Sequence, residues 1–125
     1  MPKRLSRPVI AAADAAGIMG IRAGARSEHR FIGVWPIVVG GRLFARSWTL
    51  KKSGWNQAFL DDPLGVIQVG DRVLRIRAVR VKSERIRDAI DDAYAEKFDT
   101  KASQKYVRGF RSPLRRDTTV EFVPR

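Results

Sequence analysis

The sequence predicts a mainly β domain, a small antiparallel barrel of about six strands with two or three flanking helices. Two pairs of β-prone segments are each separated by a two-residue turn signal, Gly40-Gly41 and Gly70-Asp71, which is typical of antiparallel hairpins. The chain has 125 residues, enough for one domain with a modest core. Short loops and few free strand edges then favour a sheet that closes on itself.

The first half of the chain is predicted to contain one helix, three strands and a short second helix. Pro8 suits the first position of a helix and Gly17 suits the position after its end, so a helix is predicted over residues 9–16. Pro36 interrupts a strongly β-prone run and predicts a sheet edge or a bulge, because proline cannot donate a ladder hydrogen bond. The strands are predicted at residues 18–23, 31–39 and 42–48, and the short helix at residues 53–60.

The second half is predicted to hold a hairpin, a longer helix and a closing strand. In the second strand of the hairpin, apolar residues such as Ile76 share one face while Arg75 and Arg77 share the other. This alternation is typical of a half-buried strand. The three strands are predicted at residues 65–69, 72–81 and 118–123.

The longer helix is predicted to begin after Ser83, whose side chain suits an N-cap. Its apolar residues recur at helical spacing, which predicts one buried stripe. These residues are Ile86, Ala89, Ile90, Ala93 and Tyr94. Its acidic residues lie off that stripe, and we expect them on a solvated face with i,i+4 ion pairs. These residues are Asp88, Asp91, Asp92 and Glu96.

Composition limits the classes of function. The chain carries 25 lysines and arginines against 13 acidic residues, a formal net charge of +12, which attracts polyanions, phosphorylated small molecules or acidic membrane surfaces. It contains no cysteine, which excludes disulfides and cysteine-ligated zinc and fits a reducing cytoplasm. No apolar run approaches the length of a membrane span. We therefore expect a single cytoplasmic domain over residues 1–125, with residues 1–8 flexible.

Catalytic machinery built from side chains alone is not predicted. The one histidine, His29, lies in a polar turn with only Glu28 nearby, whereas a metal site needs two or three further ligands. The sequence has neither a GxGxxG motif nor a Walker loop to cradle phosphates. We therefore assign no catalytic residue and no metal ligand.

The strongest candidate site follows the strand predicted at residues 42–48. Six residues form it: Arg46, Ser47, Trp48, Lys51, Lys52 and Trp55. Cations and a hydroxyl at the end of a strand suit an anion, and indoles cover or line a flat ring. The mixture predicts a ligand with a phosphate at one end and an aromatic system at the other. The alternative is that Trp48 and Trp55 belong to the core and the two lysines to a solvated loop.

A second basic segment, residues 104–116, carries five cations and no acid, interleaved with Tyr106 and Phe110. Aromatic rings between cations are typical of proteins that bind single-stranded nucleic acid. The alternative is a solvated basic loop. A third interpretation is that this segment joins the first to hold an anionic ligand in a dimer.

Four segments carry a resemblance to a known family. They are VWPIVVGGRLFARSW, GVIQVGDRVLRIRAVRV, DAIDDAYAEKF and RRDTTVEFVPR. In this order they resemble a bacterial family of small uncharacterised proteins that looks like a branch of the FMN-binding split-barrel group. That group includes pyridoxamine-phosphate-oxidase-like proteins and deazaflavin-dependent nitroreductases. The resemblance covers nearly the whole chain, residues 10–125.

The resemblance implies a six-stranded antiparallel split β-barrel with flanking helices, forming a homodimer that binds FMN or a deazaflavin. The implied roles are phosphate binding for Arg46 and Ser47, added positive charge for Lys51 and Lys52, and contact with the ring or the dimer pocket for Trp48 and Trp55. Many relatives have a glycine-rich turn after the Arg-Ser pair, whereas this chain has the bulkier and more basic TLKKSG.

The sequence therefore predicts an oxidoreductase-like protein that binds a flavin or a deazaflavin. The cofactor would supply the hydride-transfer chemistry, which agrees with the lack of a predicted nucleophile or base. The alternatives are a basic nucleic-acid-binding module and a split barrel that has lost its cofactor.

Overall fold

The computed structural model describes residues 4–25 and 30–125. Within these residues it confirms a mainly antiparallel β architecture, but it has seven strands rather than six, and five α-helices rather than two or three. The strands are β1 (Met19–Ala23), β2 (Ile32–Val34), β3 (Ile37–Val39), β4 (Arg42–Ala45), β5 (Leu64–Val69), β6 (Arg72–Arg80) and β7 (Val120–Pro124). The helices are α1 (Arg7–Ala15), α2 (Trp55–Asp61), α3 (Glu84–Lys97), α4 (Gln104–Gly109) and α5 (Pro113–Arg116).

The seventh strand arises because the run predicted as one strand over residues 31–39 is broken at Trp35 and Pro36. Its two halves, β2 and β3, lie at opposite edges of the sheet, whose order is β2-β1-β5-β6-β7-β4-β3. Two residues connect these edges, so the Cα atoms of Val34 and Ile37 are at most about 11 Å apart. The sheet must therefore curl until its edges nearly meet. It forms a half-barrel, and we call the gap between β2 and β3 the seam.

The interior of the half-barrel holds the first core. Alternate residues of the strands point inward, and among them Ile21, Leu43 and Ile67 are fully buried. The first and fifth residues of α2, Trp55 and Phe59, pack edge to face against each other and belong to this same core. Helix α2 thus places one tryptophan of the predicted site inside the protein.

A second core lies between the outer face of β3 and β4 and the helix α3. Phe44, Ile90, Tyr94 and Phe110 are buried there. The predicted stripe of α3 is confirmed at Ile90 and Tyr94, and the side chain of Ser83 accepts a hydrogen bond from the backbone of α3 as its predicted N-cap. Because both faces of β4 are covered, the residues that follow this strand enter a buried environment.

Several local predictions can be compared with the structure. Gly40, Gly41 and Gly70 adopt positive φ angles, as the two predicted hairpin turns require. The basic segment at residues 104–116, for which a loop was one prediction, instead forms α4 and α5, and Ser112 and Pro113 begin α5. The flexibility expected for residues 1–8 stays a prediction, since residues 1–3 lie outside the described part.

No membrane-spanning element appears among the helices of residues 4–25 and 30–125, since none combines the length and the apolar character that a span needs.

Candidate functional site

A cavity of about 500 Å³ opens between the seam and the loop that follows β4. This volume is within the usual range for sites that bind small molecules. All three tryptophans of the chain line it, together with two further aromatic residues from α4 and its end. The aromatic residues are Trp35, Trp48, Trp55, Tyr106 and Phe110. The other lining residues are Ile32, Gly33, Val34, Arg46 and Thr49. We call this cavity the aromatic pocket.

Contacts between the rings hold the walls of the aromatic pocket in place. The ring of Trp48 meets Tyr106 edge to face at 4.9 Å between centroids and Phe110 at 5.7 Å. Across the pocket, Trp35 stacks on Phe98 with 4.2 Å between centroids and 9° between planes. Trp48 and Tyr106 remain 36% and 37% exposed. The pocket is therefore a preformed aromatic cleft that is open along one rim.

Gly109 allows the wall at Trp48 to form. A Cβ atom at residue 109 would lie 2.3 Å from the indole of Trp48, a distance at which the ring must move. The end of α4 thus touches the indole directly, because no side chain separates them.

We expect Gly109→Ala to destabilise the protein by about 1–3 kcal/mol through overpacking, although alanine is the better helix former. Urea unfolding would measure this change, with Gly17→Ala as the matched control, because a Cβ at Gly17 meets no atom within 4 Å. Equal stability of Gly109→Ala and the wild type would contradict the close contact at Trp48.

Arg46, predicted to hold phosphate, lies at the pocket but is only 1% exposed. Its guanidinium uses four of five N–H donors inside the protein. One donates to the carboxylate of Asp91, and the others donate to the Thr119 hydroxyl at 2.8 Å and to the carbonyl oxygens of Phe110 and Arg87. Burial lowers the pKa of Arg46, and the hydrogen bond to Asp91 opposes this shift. The guanidinium of Arg46 therefore stabilises the structure beneath the pocket.

Ser47, the other residue predicted to hold phosphate, also forms its hydrogen bonds within the protein. It is fully buried, its hydroxyl donates to the carbonyl oxygen of Thr49 at 2.7 Å, and its N–H donates to the hydroxyl of Thr118 at 2.8 Å. These two bonds hold the start of the loop that carries Trp48. The bond to Thr118 anchors it to the residues just before β7.

The prediction that Asp91 lies on a solvated face of α3 is wrong. Asp91 is 9% exposed and pairs with Arg46. One turn further along α3, the hydroxyl of Tyr94 accepts a hydrogen bond from the N–H of Arg46 at 3.1 Å and donates one to the carbonyl oxygen of Trp35 at 2.9 Å. Helix α3 therefore links the end of β4 to the seam.

Burial raises the pKa of Tyr94 above its usual range, against the opposing effect of the hydrogen bond from Arg46. Because this pKa is higher in the folded state, the contribution of the neutral Tyr94 hydroxyl to stability is fully present at pH values below the unfolded-state pKa of about 10. That contribution falls as the pH rises above this value. We expect the free energy of unfolding to decline more steeply between pH 9 and pH 11 in the wild type than in Tyr94→Phe, as measured with urea. Parallel declines in the two proteins would contradict this assignment.

Lys51 and Lys52 are exposed on the loop before α2. Neither lines the aromatic pocket, but Lys51 lines a cleft beside Trp48 and Arg115. Arg115 of α5, which the predicted site did not include, lies with its guanidinium carbon 3.9 Å from the centroid of the Trp48 ring. Its Nε donates to the carbonyl oxygen of Trp48 at 2.9 Å. The two basic segments of the sequence therefore meet within a single chain.

Other cations of the second basic segment pair with acids on α3. Arg116 contacts Asp88 at 2.6 Å and Glu84 at 3.2 Å, and Arg111 lies 3.9 Å from Asp92. Acidic residues of α3 therefore form ion pairs with arginines of the second basic segment. Because the rings of this segment also pack around Trp35 and Trp48, the structure gives no specific support to the nucleic-acid hypothesis.

In the described part of the chain, no group of three or more histidine, cysteine or acidic side chains is placed to hold a metal ion. His29 lies outside the described residues.

Three solved structures share this fold. A conserved hypothetical protein, Rv2991 from Mycobacterium tuberculosis, aligns with a TM-score of 0.61 and 12% identity over 96% of this chain and 79% of its own. The F420-H2 dependent reductase FDR-A aligns with a TM-score of 0.58 and 19% identity over 86% of this chain and 93% of its own. A FAD-binding protein, mll6688 from Mesorhizobium loti, aligns with a TM-score of 0.54 and 16% identity over 94% of this chain and 87% of its own.

At these identities the likeness concerns the fold alone. A search of the curated proteins by sequence finds no match. A family model, described as an uncharacterized protein conserved in bacteria, matches residues 8–122. This match covers nearly the whole chain, and the protein therefore belongs to the bacterial family DUF2255.

Proposed function

We propose that the protein binds a flavin or a deazaflavin in the aromatic pocket and acts as an oxidoreductase-like member of the FMN-binding split-barrel group. The observation that carries this proposal is the preformed pocket of about 500 Å³, walled by three tryptophans, a tyrosine and a phenylalanine. Fused planar rings stack well against such walls. The fold shared with an F420-H2 dependent reductase and a FAD-binding protein supports the same class of ligand.

The charges around the pocket agree with a ligand that carries an anionic tail. Lys51 and Arg115 line a cleft that includes Trp48, and the exposed Lys52 follows Lys51 in the chain. The guanidinium of Arg46 is directed to protein partners. We therefore propose that Trp48 and Trp55 contact the ring, that the two lysines and Arg115 attract the tail, and that Arg46 and Ser47 support the site from beneath.

When bound, the cofactor supplies the hydride-transfer chemistry. The residues of this chain bind and orient the ring. Trp35, Trp48 and Trp55 present indoles to it, and the buried apolar wall excludes water from the covered face. No side chain is assigned a catalytic role, and the electron acceptor approaches through the open rim beside Trp48 and Tyr106, both of which are partly exposed.

Titration of the purified protein with FMN, FAD and F420 tests the proposal. A ligand in the aromatic pocket lies against the tryptophans, so we expect it to quench their fluorescence and to raise the melting temperature. Saturation at 100 times the dissociation constant should add about 2.7 kcal/mol of stability. Leu60→Ala is a suitable control, since Leu60 is exposed on α2 and does not line the pocket.

Absence of quenching and of stabilisation with all three compounds would overturn the proposal and favour a barrel that has lost its cofactor. Binding of single-stranded DNA or RNA that weakens steeply with salt would instead favour the nucleic-acid-binding alternative.

We also propose that the protein forms a homodimer through the outer face of β6. Val73 and Val79 are 56% and 41% exposed there, with Arg75 and Arg77 between them on the same face. Light scattering should give twice the 14.1 kDa of one chain, and salt should favour the dimer by screening the arginines. A monomeric mass at all salt concentrations, unchanged by Val79→Asp, would contradict this interface.

A further inference from the structure

A second cavity, of about 250 Å³, lies on the other side of the loop that follows Trp48. In contrast to the aromatic pocket, its lining is mostly polar and includes Lys51, Asn56, Arg80 and Asp117. We call it the polar cavity. Thr49 lines both cavities, and a shallow cleft lined by Trp48, Thr49, Lys51 and Arg115, among others, runs between them along the loop.

Two residues that line the polar cavity, Asn56 and Arg80, each have a buried polar atom that lacks a hydrogen-bond partner in the described protein, Oδ1 and Nη1 respectively. Leaving such an atom unpaired costs about 1–3 kcal/mol, and native proteins satisfy nearly all of them. Because both residues line one cavity, small shifts of their side chains would let a polar group in that cavity supply the missing partners.

Arg80 occupies an unusual position for a cation. It ends β6 and has the same strand parity as the buried Ile76 and Ala78, so it continues the inward face of the barrel. By contrast, Arg77 is exposed and lies on the outer face. Arg80 makes no ion pair among residues 4–25 and 30–125. A partly buried cation without an acid partner is a ready binding group for an anion.

The charge balance of the polar cavity also favours an anion. Arg80 and Lys51 contribute two positive charges, while Asp117, the one acid on the wall among the described residues, is already paired with Arg87 at 2.9 Å. The carboxamide of Asn56 offers either an acceptor or, after half a turn, two N–H donors. A phosphate ester matches this set, because its oxygens accept from the arginine, the lysine and the amide.

We propose that the polar cavity binds the phosphate ester of the same ligand whose ring lies in the aromatic pocket, with Arg80 as the principal partner and Lys51 and Asn56 as further donors. This inference rests on the proposed function, since it extends one ligand across Thr49 from the aromatic to the polar cavity. It assigns the phosphate to Arg80, whose Nη1 lacks a partner in the described protein, in place of Arg46, four of whose five donors are taken by the protein.

The test compares FMN with riboflavin, which has the same ring and ribityl chain but no phosphate. The proteins are the wild type, Arg80→Met and Arg72→Met, where the control removes the same charge from an exposed position at the start of the same strand. We expect the wild type to bind FMN at least about tenfold more tightly than riboflavin. Arg80→Met should bind the two nearly equally, while Arg72→Met keeps the preference. If the protein selects the deazaflavin, F420 and its phosphate-free ring portion replace this pair.

The possible outcomes separate the two proposals. Equal affinity of the wild type for both ligands, or a preference for FMN that survives in Arg80→Met, overturns the phosphate site and leaves the cofactor proposal standing. Absence of binding by every ring compound overturns both. If Arg80→Met does not fold, Arg80→Gln keeps the polar contact and removes the charge, and the preference for FMN should fall in the same way.

Discussion

Replacing Arg46 with methionine is expected to destabilise the protein by about 3 kcal/mol, because the substitution leaves the buried carboxylate of Asp91 with only Arg116, 3.7 Å away, as a cationic neighbour. The change also removes the donors to Thr119 and to two carbonyl oxygens. Stabilities of domains of this kind are about 5–15 kcal/mol, so the variant should lose a large share of its folding free energy. Urea unfolding followed by circular dichroism would measure this loss.

Two further variants show whether the cause is the ion pair. Arg72→Met removes the same side chain from an exposed position and should change the stability by no more than about 0.5 kcal/mol. The double variant Arg46→Met with Asp91→Leu should be more stable than Arg46→Met alone, because it removes both charges together. A stability of Arg46→Met within about 1 kcal/mol of the wild type would contradict a structural role for this arginine.

The prediction that Arg46 holds phosphate follows from what a sequence displays. An arginine and a serine at the end of a strand are visible as neighbours, and they suit phosphate. The partners that occupy Arg46, Asp91 and Tyr94, are 45 and 48 residues away along the chain. Periodicity placed Tyr94 on the buried stripe of α3 and Asp91 off it, so this acid was predicted to lie in solvent. Only the packing of α3 against β4 shows that an acid belongs there.

The break at Trp35 and Pro36 illustrates a second limit. The hairpins, the helix after Ser83 and the closing strand were predictable because their patterns are local. Pro36 also predicted an edge or a bulge, and it lies between two edge strands. That these strands occupy opposite edges depends on the closure of the whole sheet, which no local pattern encodes. The seam, and with it the position of Trp35 in the pocket, could not be derived from the sequence.

The candidate site itself was predictable in part. Trp48 and Trp55 were chosen because indoles accompany cations after a strand, and both line the aromatic pocket. Arg115 was visible in the second basic segment, and one interpretation joined that segment to the first. The structure brings the two together through the contact of Arg115 with Trp48. Nothing in the sequence marked Arg80 as a candidate site residue, because it is one of several arginines in a strand of alternating apolar and charged residues.

Removing the indole of Trp48 is expected to weaken ring binding by at least about tenfold while costing little stability. The side chain is 36% exposed, so its loss removes a wall of the pocket without opening a cavity in the buried core. An aromatic contact contributes about 0.5–1.5 kcal/mol beyond the area it buries, and the loss of the stacked area adds to this. Arg115 would also lose the ring on which its guanidinium lies.

Fluorescence of the bound flavin, rather than of tryptophan, is the suitable measurement, because the variant changes the protein's own emission. Trp48→Phe should keep most of the affinity, since a smaller ring still faces the pocket. Leu60→Ala serves as a control, as Leu60 is an exposed residue of α2 and lines neither the aromatic pocket nor the polar cavity. If Trp48→Ala binds as tightly as the wild type, the ring lies elsewhere. If it binds weakly but also melts far below the wild type, the indole supports the fold, and ring contact at Trp48 is not its main role.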